Sequence, residues 1–97
     1  MEYIICSAIW FNDEETHVHQ PKNIDKGFVV TGRRHHNCFT TVSVLTNKDR
    51  SLLKKEKIQG FITNTDRFVD RKEAGDIAYK AGQINKETDC LFSEDLY

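Results

Sequence analysis

The sequence predicts an α+β fold, a small antiparallel sheet packed with about two helices in an oligomeric protein. Three runs of β-branched and aromatic residues, set apart by turn residues, supply the strands. Two stretches whose apolar residues recur every three or four positions supply the helices. The 97 residues are read as one domain, 1–97. A chain of that length buries only about 60 to 65% of its unfolded surface. Its core is therefore marginal, and assembly with copies of itself would strengthen it.

The first strand runs from Tyr3 to Phe11 and is almost continuously apolar, the mark of a strand covered on both faces or lying at an interface. Asn12-Asp13 gives a turn signal. Thr16 to His19 then reads as a second hairpin arm pairing back, before Pro21, Asn23 and Asp25 mark a loop. Lys26 to Thr31 is the second strand. From near Arg34, the residues His35, Cys38, Val42 and Leu45 recur on one face of a helix, with a strand as the competing assignment because of the Thr and Val content.

Asp49 to Lys57 is polar with mixed charges and reads as a solvated loop or short helical turn. Ile58 to Thr63 is the third strand, ended by Asn64-Thr65-Asp66, with Arg67-Phe68-Val69 extended beyond the turn. Asp70 then stands three residues before Glu73 as the N-cap of a second helix. Ala74, Ile77, Ala78 and Ala81 form its apolar stripe, and Gly82 stops it. Small alanines there suit close packing on a sheet or on a copy of the same helix. The ending, Cys90 to Tyr97, keeps large apolar groups and reads as docked.

Composition excludes several function classes. No apolar run approaches the ~18 residues that cross a membrane, so no membrane partner is expected. The start lacks a basic n-region, which points to a cytoplasmic protein. A net charge of −1 argues against coating long nucleic acid, which demands a basic surface. Cys6, Cys38 and Cys90 lack CxxC spacing, so buried thiols are favoured over a disulfide framework or a zinc site.

One stretch stands out against this balance: GRRHHNCFTT, residues 32–41. If a helix starts there, Arg33, Arg34, His35 and His36 sit where its dipole already adds roughly +0.5 charge. A bound anion resolves that conflict, because backbone N–H groups and an Arg fork converge on one phosphate. The alternative is that the arginines pair with some of the 15 acidic residues and one histidine is a satisfied core group. Both readings remain open at this level.

Metal binding and catalysis have less support. Adjacent His35 and His36 diverge in either secondary structure, and His17 with His19 lacks a third ligand nearby, so no metal site is assigned. General acid-base work by His36 beside an Arg clamp is conceivable for phosphodiester cleavage. No nucleophile elbow, paired-carboxylate motif or P-loop accompanies it, so no catalytic residue and no cofactor is assigned. A second candidate surface is Gly60 to Phe68, where Phe61 or Phe68 would stack on a base, Asn64 read an adenine edge and Arg67 meet phosphate. For each phenylalanine taken singly, a core position is the favoured reading.

Three stretches, VVTGRRHHNCF, QGFITNTDRFVDRKEAGDIAYKAGQI and LFSEDLY, resemble the first family of phage Thoeris anti-defence proteins over about two thirds of the chain. The resemblance implies a compact α+β protomer in dimers or hexamers that sequesters a small anionic cyclic nucleotide. That ligand would be a cyclic ADP-ribose isomer, with cyclic oligonucleotides of the CBASS pathway bound by some members. Carried over by motif, Arg33 to His36 match the family's Gly-x-Arg-His stretch. Phe61, Asn64, Arg67 and Arg71 match its Gly-Phe-x-Thr and Phe-Val-x-Arg-x-Glu-Ala stretches. The function expected is a sponge acting without cleavage in the infected cell. A phosphodiesterase for such a signal, or a protein-binding inhibitor of a host defence factor, is the alternative.

Overall fold

The computed structural model describes residues 1–45 and 56–96. Four strands form one antiparallel sheet: β1 (Ile4–Asn12), β2 (Phe28–Gly32), β3 (Glu56–Thr63) and β4 (Phe68–Asp70), in the order β2-β1-β3-β4. Helix α1 (His35–Leu45) follows β2, and α2 (Arg71–Lys80) follows β4 directly. The expected α+β architecture is therefore present. The reading of 49–55 as a loop or helical turn lies outside the described residues, and the chain is already in β3 at Glu56.

The register explains where the core lies. Ser7 faces Phe61, Ile9 faces Val30 and Phe11 faces Phe28, so these alternate residues share one side of the sheet. Both helices pack on that side. Ile9 and Phe11 are buried with Cys38 and Val42 of α1. Phe61, Val69 and Ile4 are buried with Ala74, Ile77 and Ala78 of α2 and with Leu91 of the tail. The small residues of α2 are thus used within the protomer, against its own sheet.

Three expectations are corrected. Thr16 to His19 does not return as a hairpin arm: Thr16 makes a lone parallel bridge to Gly27, and β1 pairs instead with β2 and β3. Coverage of both faces accounts for the apolarity of β1 over residues 8–11, with α1 over Ile9 and Phe11 and the β1–β2 connection over Trp10, whereas Ile5 is half exposed. The α1 stripe ends at Val42, because Leu45 lies 77% exposed where the helix has run past the sheet. Ala81 is the C-cap of α2 and only partly buried, with Gly82 beyond it at φ 76° as the left-handed stop.

The opposite side of the sheet carries Trp10, Ile58 and Phe68, and part of the long β1–β2 connection crosses it. Trp10 Nε1 donates to the Lys26 carbonyl, and Asn23 bonds both backbone groups of Phe68, pinning this connection across the sheet to β4. A groove of about 550 Å³ remains between them. Among the described residues no helix is long and apolar enough to cross a membrane.

Candidate functional site

The two helices begin at neighbouring points above β3. Gly32 ends β2, Arg33 and Arg34 make the turn, and the Arg34 carbonyl accepts from the Asn37 and Cys38 amides, so the helix proper starts with His35. Asn37 returns its side-chain oxygen to the Arg34 amide at 3.1 Å. No acidic residue occupies the first turn of α1. At α2, Asp70 caps the Glu73 amide at 2.8 Å, and Arg71 is the first helical residue.

His35 points inward and His36 outward, as their divergence on a helix requires. His35 is buried, its Nε2 2.8 Å from the Gly60 carbonyl and its ring edge-on to Phe61 with centroids 5.0 Å apart. A carbonyl only accepts, so Nε2 carries the proton and Nδ1 presents its lone pair. That lone pair faces Nη2 of Arg71 at 3.4 Å. Burial pushes the His35 pKa down; the Gly60 bond and the charge of Glu94 act upward, and the Arg71 charge acts downward.

Arg71 is held by several partners. Nη1 donates to the Leu91 carbonyl at 2.7 Å, Nη2 to Gln59 Oε1 at 2.6 Å, and its guanidinium carbon lies 4.8 Å from the centre of the Phe92 ring. A cation at a helix N-terminus is unfavourable by a few tenths of a kcal/mol. Here the carbonyl, the amide oxygen and the aromatic face offset that cost. At the start of α1, Arg33, Arg34, His36 and Asn37 line a shallow cavity of about 400 Å³.

The remaining anticipated residues fall elsewhere. Phe61 is fully buried in the helix-facing core, so within the protomer its ring supports His35 and offers no open face. Asn64 holds the start of the chain, accepting from the Tyr3 amide and donating to the Met1 carbonyl. Arg67 bonds both Glu2 oxygens at 2.9 and 2.7 Å and Glu73 at 2.9 Å. Thr63 and Thr65 also donate to Glu2, and the Arg67 guanidinium leads the causes that hold its carboxyl at about 2. Phe68 is buried on the groove side, beside Trp10.

Gln59, Phe92 and Glu94 were not singled out from sequence. Gln59 did carry a signal: it is polar at a register position two residues from buried Phe61, on the helix-facing side. Phe92 gave no local sign of meeting Arg71, which is 21 positions away. The thiols remain free, Cys38 buried and pushed up to about 11 by its burial, Cys6 and Cys90 half-buried. His17 lies against Asp13 at 2.8 Å, near Glu15, rather than paired with His19.

The model of one protein family, described as phage T4 y16D protein, matches residues 3–97. The chain belongs to that family. The match spans both helices, the whole sheet and the tail, so the residues gathered at His35 and Arg71 lie in the family's own domain. Its description names a phage, and the chain is accordingly a phage protein. No curated protein and no solved structure gives a significant match.

Proposed function

We propose that this y16D-family protein binds a small anionic nucleotide where its two helices begin and holds it intact. The carrying observation is the start of α1, where Arg33, Arg34, His36 and Asn37 line one shallow cavity and the first turn holds no acidic residue, with Arg71 joined to the same helix end through His35. Guanidinium forks and helix amides are the groups that recognise phosphate oxygens. The Thoeris resemblance points to a cyclic ADP-ribose isomer, with cyclic oligonucleotides as further candidates. On this reading the protein is a sponge in the infected cell, and a second protomer of a dimer or hexamer closes the shallow site.

Sequestration is preferred to cleavage because His35 is already occupied. Its Nε2 is spent on the Gly60 carbonyl, and burial favours its neutral form, which leaves His36 as the general acid-base candidate of that pair. Competition with a receptor for a scarce signal demands sub-micromolar affinity, on the order of −8 kcal/mol or better.

The test incubates purified protein with cyclic ADP-ribose isomers and cyclic di- and trinucleotides, filters the protein out, heats it and chromatographs what is released. Depletion followed by recovery of the unchanged ligand supports the sponge. An altered product supports the phosphodiesterase and moves the chemistry to His36. Depletion of no ligand sinks nucleotide binding and favours inhibition of a host protein.

A further inference from the structure

Granting the anion site above, we propose that Phe92 is the platform on which the ligand's nucleobase stacks, with Arg71 behind the ring and Gln59 bonded to Arg71. Phe61 and Phe68, the aromatics that the sequence offers for stacking, are 0% and 7% exposed and present no ring face to a ligand. Phe92 is 49% exposed.

Its exposure is built into the tail. Leu91 before it and Ser93 after it are both buried, so the chain is anchored on each side of the ring. The Phe92 amide donates to Asp95 Oδ2 at 2.9 Å, which closes the short 3-10 turn at Ser93–Asp95 and fixes the direction in which the side chain leaves. A loose terminal phenylalanine would fold onto the nearest apolar surface. This one is held out, with one face against the Arg71 guanidinium.

That arrangement suits a base better than a phosphate. A guanidinium behind an aromatic ring draws its π electrons inward, and an electron-rich purine then stacks on the outer face. Gln59 spends Oε1 on Arg71, which leaves its N–H₂ group as the donor for an acceptor on the base edge. Glu94 and Asp95 lie in the turn that directly follows Phe92, and two carboxylates disfavour an anion at this end. Phosphates therefore go toward Arg33 and His36, and the base toward Phe92.

The experiment compares wild type, Phe92→Ala, Phe92→Leu and Phe92→Trp in full-length protein, with cyclic ADP-ribose and cyclic diadenylate as nucleotide probes and ribose 5-phosphate as a base-free probe. Thermal melts accompany each variant, and Phe92→Leu retains the apolar bulk should the alanine variant melt early. We expect Ala and Leu to weaken nucleotide binding about tenfold or more, Trp to preserve it, and ribose 5-phosphate binding to stay within about twofold. Nucleotide binding by Phe92→Leu equal to wild type overturns the platform and leaves the anion site standing. Equal loss of nucleotide and ribose 5-phosphate binding also overturns it, since the ring would then act through the anion site. Wild-type protein that binds none of the three overturns both.

Discussion

His35 and Arg71, the first residues of α1 and α2, touch through Nδ1 and Nη2 at 3.4 Å although 36 positions separate them in the chain. Through this contact the N-terminal ends of both helices, β3 and the docked tail meet at one place, which makes the region sensitive to substitution and to protons.

Arg71 ties the tail to the body through Leu91 and Phe92. Loss of a charge-assisted hydrogen bond costs about 1.5 to 3 kcal/mol. Arg71→Ala is expected to lower unfolding stability by about that amount and to raise amide exchange over residues 91–96, read by urea titration and hydrogen exchange. Unchanged exchange in the tail would show that its own apolar anchors suffice.

Stability depends on pH through His35. Its folded pKa lies below the unfolded value of about 6.5, chiefly because of burial. Between those values the unfolded chain binds more protons, so stability is complete above about 6.5 and falls as pH drops through that point. Urea midpoints are expected to be lower at pH 5.5 than at pH 7.5. His35→Gln, which keeps a donor for Gly60 without a titrating ring, flattens the slope if His35 is its source.

Glu2 gives a second, more acidic window. The Arg67, Thr65 and Thr63 hydrogen bonds hold it at about 2, below the usual 4.5. Its contribution is present above about 4.5 and is lost as pH falls toward 2. Both partners are partly exposed, so the effect is on the order of 1 kcal/mol or less. Glu2→Gln is expected to destabilise at pH 7 and to be nearly neutral at pH 2, measured by thermal unfolding at each pH.

Gly60 is required by strand packing. A Cβ there would press into the Val69 carbonyl oxygen and lie 2.7 Å from Phe68 Cζ. Gly60→Ala must therefore displace β4 or the Phe68 ring and, through the Gly60 carbonyl, disturb His35. A loss of about 1 to 3 kcal/mol is expected from overpacking, with a shifted His35 ring resonance in NMR spectra. A wild-type melting temperature would show that β4 yields at no cost.

Local structure was legible in the order of residues. The Asp70 cap, the α2 stripe and the Gly82 stop depend on residues within one or two turns of each other, and each was legible for that reason. The strands followed from β-branched runs, and the α+β class from strands and helices together. The divergence of His35 and His36 is likewise a property of helical geometry.

Which cations serve the fold and which gather at one place depended on contacts between distant parts of the chain. Arg67 and Asn64 look like ligand contacts in sequence, yet they hold Glu2, Tyr3 and Met1 from more than 60 positions away. Phe61 became core because its register faces Ser7 under the helices, and Phe92 stayed exposed because its two neighbours are buried. The misplaced hairpin arm has the same origin, since β1 found its partners in β2 and β3 rather than in the nearest segment. Strand pairing and side-chain burial depend on the whole chain at once, and residue types read along a line do not contain them.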